Sequence, residues 1–174
     1  MIFRDAVMKD LPLIVEIYNS TIEGRMVTAD TEPVKVEDKL EWFRKHNTAT
    51  RPLWIVENNN NEVIGWASFQ DFYGRPAYQG TAEISIYLHE NERGKQYGKK
   101  ILQHAFSECP KLGIHTLLGF IFAHNSNSLQ LFIKMGFQEW AHLKDIAILD
   151  GKERSLKILG KKIAGSNKLS EKIL

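Results

Sequence analysis

The residues best placed for chemistry form one short run, Arg93-Gly94-Lys95-Gln96-Tyr97-Gly98. An apolar alternating segment precedes it and a helical pattern follows it. A helix N-terminus carries unpaired N–H groups and the positive end of the helix dipole, so phosphate oxygens are its natural partners. Glycine lets backbone approach an anion closely, and Arg93, Lys95, Lys99 and Lys100 add positive charge. The segment therefore reads either as a cradle for a phosphorylated ligand or as a plain loop with a solvated basic face. Two familiar phosphate motifs are excluded. The spacing from Gly94 to Lys99 is one residue short for G-x-x-x-x-G-K-[ST], and Lys100 stands where that motif needs Ser or Thr. No G-x-G-x-x-G is present. The lone Cys109 falls on an apolar helical face and reads as core. The six histidines show no H-E-x-x-H spacing, so no metal site is expected. The tryptophans fall on separate elements and read as core or interface residues.

The elements that must hold this loop follow from periodicity. Ile2 to Val7 reads as a strand. Asp10 is placed to cap a helix with Pro12 in its first turn, and Leu11, Ile14, Val15 and Tyr18 share one face. Val36, Leu40 and Phe43 mark a second helix. Leu53 to Glu57 and Glu62 to Phe69 read as a hairpin around an Asn-rich turn. Thr81 to Leu88 alternates, with Ala82, Ile84, Ile86 and Leu88 on one face and Thr81, Glu83, Ser85 and Tyr87 on the other. The helix after the basic loop presents Ile101, Leu102, Ala105, Phe106 and Cys109. Thr116 to Phe122 is a strand, and Asn125 to Met135 a short helix with Leu129, Phe132 and Ile133 inward. Two final strands, about Glu139 to Leu149 and Lys152 to Leu159, meet at Asp150-Gly151, a strong hairpin signal. The order implies an α/β fold with a mixed sheet and helices on both faces. Residues 1–162 read as a single domain and 163–174 as a frayed tail.

The chain has 174 residues, a formal charge of +2, 43% hydrophobic and 25% charged residues. These are ordinary values for a globular protein, and the charge is too small to point to a nucleic-acid partner. No apolar run reaches membrane-spanning length, and the N-terminus lacks a signal-peptide pattern. A cytoplasmic protein with no membrane partner is expected.

The ordered motifs resemble the GNAT superfamily of N-acetyltransferases, in its phosphinothricin and methionine-sulfoximine acetyltransferase branch. The basic loop resembles the family's [QR]-x-x-G-x-[GA] element: Arg93 and Gly98 match, and Gln96 stands in place of the first glycine. EIYNSTI, TADTEP, RPAY, TAEISIYL, N-x-x-S-L at Asn125 to Leu129, and Lys134-Met135-Gly136-Phe137 follow in the family's order. The resemblance implies a mostly antiparallel mixed sheet and direct transfer of acetyl from acetyl-CoA to an amine. It implies that Glu83 accepts the amine proton, through water. Backbone of Ile86, Tyr87 and Leu88 would pair with pantetheine. Residues 93–99, namely Arg93, Gly94, Lys95, Gln96, Tyr97, Gly98 and Lys99, would hold pyrophosphate, and Asn125 would bond the pantetheine from across the cleft. Arg75 would bind an acceptor carboxylate, with Pro76, Ala77, Ile84 and Ser85 beside it and Met26 and Phe72 as apolar walls. Phe132 stands where many relatives carry a proton-donating Tyr or His, so that acid is missing here. The expected acceptor is a small amino-acid-like amine and the expected assembly a homodimer. A polyamine or protein N-terminus as acceptor, or a silent acyl-CoA-binding module, is the alternative.

Overall fold

The computed structural model describes residues 1–163. Seven strands form one sheet in the order β1-β2-β3-β4-β5-β7-β6. They are β1 (Ile2–Asp5), β2 (Leu53–Glu57), β3 (Val63–Asp71), β4 (Thr81–Leu88), β5 (Thr116–Phe122), β6 (Gln138–Leu149) and β7 (Lys152–Lys162). The helices are α1 (Leu11–Asn19), α2 (Leu40–Arg44), α3 (Tyr97–Glu108) and α4 (Ser126–Lys134). All strand pairs are antiparallel except β4 with β5.

The sheet buries both faces, which explains why β2 and β3 are apolar almost throughout. On one face Ile101, Leu102 and Ala105 of α3, with Cys109 just after it, pack with Val56, Phe69, Ile84 and Leu117. On the other, Ile14, Ile17 and Tyr18 of α1 pack with Leu53, Ile55 and Trp66. Alternation in β4 sorts its side chains as expected: Ala82 and Ile84 enter the α3 core, while Tyr87 packs on the α1 side. The Asp150-Gly151 turn takes φ of 51° and 71°, the all-positive backbone of a tight hairpin.

Several expectations are corrected. Asp10 does not cap α1 with its side chain. Its carboxylate accepts two hydrogen bonds from Arg4 (2.7 and 2.9 Å) and one from the Val7 N–H. The Arg4 guanidinium holds that carboxyl below its usual range. The second helix shrinks to the five residues of α2 after a 3-10 turn at Glu37–Lys39. Ile133 is exposed, because Leu129, Leu131, Phe132 and Met135 make up the face that meets the core. Strand β1 stops at Asp5, short of Val7. The final strand runs further than its apolar pattern suggested. It reaches Lys162 because β5 supplies a partner as far as Thr116, and Ile163 is buried behind it. The rest of the expected tail lies outside the described residues.

Candidate active site

Strands β4 and β5 pair only over Thr81–Glu83 and Thr116–Leu118. Beyond that point β4 stays with β3 as far as Leu88, while β5 stays with β7 as far as Phe122. The two halves of the sheet therefore splay apart, and the facing edges of both strands lose their ladder partners. Unpaired strand edges are strong, directional hydrogen-bonding surfaces. The resulting cleft is lined by Ile84 to Leu88 of β4, by Gly119, Phe120 and Ile121 of β5, and by Asn125, Ser128, Leu131 and Phe132 at the start and inner face of α4. Arg93 and Gly98 close its end at the start of α3.

The loop at that end is built for an anion. Gly94 and Gln96 both take left-handed backbone, with φ of 78° and 62°. Gln96 occupies the N-cap position of α3, and no side chain caps the helix. The first-turn N–H groups thus lack a side-chain cap, unlike those of α4, where Asn125 accepts from the Ser128 N–H at 3.1 Å. Left-handed backbone costs a non-glycine residue about 1–2 kcal/mol, so Gln96 carries strain that the loop shape requires. Arg93 donates to the Leu88 carbonyl (3.3 Å) and to Ser20 (3.0 Å), which ties the loop to β4 and α1. Lys95 pairs with Glu92. Lys99 is exposed, and Tyr97 packs partly into the core beneath the Lys100 ammonium.

Gln96→Gly tests that strain. Relief of the left-handed backbone should outweigh the extra freedom of glycine in the unfolded chain, about 0.5–1 kcal/mol. The expected net is a rise in Tm of about 1–4 °C, read by calorimetry. Affinity for acetyl-CoA should be retained. A large loss of affinity at unchanged stability would mean that the Gln96 side chain itself holds the ligand.

Behind β4 lies a second cavity of about 200 Å³. It is lined by Ile14, Val15 and Tyr18 of α1, Lys39 and Trp42 at α2, Trp66 and Gln70 of β3, and Glu83, Ser85 and Tyr87 of β4. Ser85 and Tyr87 also line the first cleft, so the two spaces meet at these residues. Tyr87 stacks on Trp66 with ring centroids 4.3 Å apart and meets Tyr18 at 5.2 Å. Tyr18 is held by hydrogen bonds to Asp30 and Thr28, and burial pushes its hydroxyl up to about 12. Burial also raises the Glu83 carboxyl above its usual range, with no charged neighbour offsetting it. A half-buried carboxylate poised upward suits a proton acceptor.

The structure sorts the remaining expected residues differently. Asn125 faces the cleft, yet both its polar atoms are engaged: Oδ1 caps α4, and Nδ2 donates to the Met26 carbonyl at 2.9 Å. Met26 lines the β4–β5 cleft and not the Glu83 cavity. Arg75, Pro76 and Phe72 line a third depression with Arg51, Asp71 and Tyr78, at the other end of β4, and are not brought to Glu83. Ala77 is exposed and lines none of these spaces. Phe132 is buried, packed over Gly119 and against Phe137. Tyr18, Lys39, Trp42, Trp66 and Gln70 were not singled out from the sequence, because nothing in their spacing signals a shared cavity. Among the described residues no cluster of His, Cys, Asp or Glu could hold a metal ion, and no helix is long and apolar enough to cross a membrane.

A sheet splayed between two central strands, with an uncapped helix start at the open end, offers an unpaired strand edge and unpaired N–H groups in one cleft. The Acetyltransferase (GNAT) family matches residues 14–137, and the chain belongs to that family. It is an acetyltransferase. It is 54% identical over 164 residues to the Bacillus subtilis protein named "Putative phosphinothricin acetyltransferase YwnH", covering 94% of this chain and all of that one. It is 30% identical to the L-methionine sulfoximine/L-methionine sulfone acetyltransferase of Pseudomonas paraeruginosa, over 78% of each chain. The structure of a phosphinothricin acetyltransferase from Sinorhizobium meliloti in complex with AcCoA superposes with a TM-score of 0.86 at 26% identity, over 93% of this chain and 88% of that one.

Proposed function

We propose that this chain transfers acetyl from acetyl-CoA to the amine of a small amino-acid-like acceptor of the phosphinothricin or methionine sulfoximine type. The observation that carries the reading is the meeting of two spaces at Ser85 and Tyr87. One is a cleft that ends at the uncapped start of α3, and the other is a cavity holding Glu83. The extended cleft suits a pantetheine arm paired with the free edge of β4 at Ile86, Tyr87 and Leu88. The loop from Arg93 to Lys99 suits its pyrophosphate. An amino-acid-like acceptor, rather than a polyamine or a protein terminus, is supported by the likeness to the phosphinothricin and methionine sulfoximine acetyltransferases.

In the proposed reaction the acceptor enters as an ammonium and must lose a proton to become a nucleophile. Glu83 takes that proton, through water. The amine nitrogen then bonds to the thioester carbon, the carbon–sulfur bond breaks, and a β4 backbone N–H steadies the oxygen as charge develops. The thiolate leaves without a side-chain acid at Phe132, and the second proton, which the nitrogen sheds as it becomes an amide, reaches the sulfur through water. Asn125 holds α4 and the Met26 segment in place as the cleft wall. A homodimer belongs to the same proposal; exposed Trp140, Ile146 and Ile148 on the edge strand β6 offer an apolar surface for it.

Two measurements test this reading. Acetyl-CoA at a hundred times its Kd should stabilise the protein by about 2.7 kcal/mol, a rise in Tm of about 5–10 °C, whereas NAD and ATP should not. Equal shifts from ATP would mean a generic phosphate site. Free thiol should appear when acetyl-CoA meets the protein and L-methionine sulfoximine together; thiol release equal to that without acceptor would refute the acceptor class.

A further inference from the structure

We infer that Lys39 reads the acid group of the acceptor and so decides which amines the enzyme takes; the inference rests on the acceptor reading above. Lys39 is the single cation among the residues lining the Glu83 cavity, and Glu83 is the single anion. An α-amino acid carries one charge of each sign a short distance apart. A cavity with one cation and one anion matches that pattern when the amine lies toward Glu83 and the carboxylate toward Lys39.

The surroundings of Lys39 fit this task. Its ammonium stands 4.5 Å from the centroid of the Tyr18 ring and 6.0 Å from that of Trp42. The aliphatic stem is thus held against aromatic walls while the head keeps its donors. Among the described residues the carboxylate paired with it is Asp30, at 3.9 Å, long for an ion pair, and the Asp30 Oδ2 atom already accepts the Tyr18 hydroxyl. With three N–H donors, the ammonium retains capacity for a ligand oxygen. Lys39 ends the 3-10 turn Glu37–Lys39, which runs on into α2 with helical backbone, so its side chain leaves a fixed helical position toward the cavity. Arg75, the residue type better known for gripping carboxylates, lines a different depression.

The test compares Lys39→Met and Lys39→Arg with the unaltered enzyme, using L-methionine sulfoximine and its carboxamide as acceptors with saturating acetyl-CoA. Methionine keeps the apolar stem and removes the charge. The expected result is a KM for the free acid raised about tenfold or more in K39M, with kcat changed little and partial recovery in K39R. The KM for the carboxamide should be alike in all three proteins, and the acetyl-CoA thermal shift should be unaltered. A free-acid KM within about twofold of the unaltered enzyme in K39M, or an equal rise for acid and carboxamide, would overturn the assignment while leaving the acetyltransferase reading intact. If the unaltered enzyme acetylates neither compound, the acceptor reading has failed and Lys39 falls with it.

Discussion

Glu83→Gln should lower kcat by about 100-fold or more at neutral pH, the scale of losing a general base. Glutamine preserves the shape and much of the polarity of the side chain but cannot accept a proton. The loss should shrink as pH rises, since more of the acceptor amine is then already neutral. Acetyl-CoA binding should survive, because the cleft is built from backbone of β4 and the start of α3 and does not depend on the Glu83 side chain. Stability should move the other way. The folded-state pKa of Glu83 is raised by burial, so the folded protein resists ionisation that the unfolded chain accepts freely. That penalty is absent in acid, where both states are protonated, and grows as pH climbs above the ordinary carboxyl range. E83Q should therefore be more stable than the unaltered protein at pH 7–8, with the difference vanishing toward about pH 4. A pH–rate profile and melting curves across the same range check both halves. Near-normal kcat in E83Q at neutral pH would make Glu83 a structural residue.

The second large effect is expected from Gly65→Ala, a single methyl placed far from any reacting atom. A Cβ at Gly65 would lie 2.3 Å from the Tyr87 carbonyl oxygen and 3.0 Å from the Leu88 Cα. Both obstacles are backbone of the neighbouring strand, in register with Gly65 through Leu88, so no side-chain rotation can make room. The strand must move or the pairing must loosen. Overpacking of this kind costs about 1–3 kcal/mol or more, a fall in Tm of about 2–12 °C for a domain of this size. The displaced segment is the stretch of β4 that faces the β4–β5 cleft and joins it to the Glu83 cavity. Acetyl-CoA affinity should therefore fall further than the stability loss alone explains, as read by titration at a temperature where the variant remains folded. Unchanged affinity in a folded G65A protein would show that the β4 edge near Tyr87 and Leu88 does not bind the coenzyme.

Much of this architecture is legible in the chain itself. Strands β2, β4 and β5 begin and end where apolar alternation and flanking breakers place them, because a sheet buried on both faces leaves little freedom in its central strands. The Asp-Gly turn announces the β6–β7 hairpin through local backbone preference alone. The basic loop before α3 is equally local: its glycines, its charges and the helix start all lie within a few residues of one another. Glu83 is legible because alternation in a single strand assigns its face.

Tertiary structure decided what short-range pattern cannot carry. The cleft exists because β4 and β5 part after Glu83 and Leu118, an outcome of which strand each prefers on its far edge, and neither strand's own sequence records it. The extra length of β7 likewise comes from a partner 46 residues away, at Thr116. Arg75 sits only eight residues from Glu83 in the chain, yet the turn from β3 to β4 carries it into another depression. Tyr18 on α1 and Lys39 just before α2 reach the Glu83 cavity because those helices bury their apolar faces on Trp66 and its neighbours, and packing of the helices then fixes where the polar side chains stand. Local preference sets elements and caps over a few residues, whereas a cavity is the space left between elements after the whole sheet has paired and both its faces have been covered.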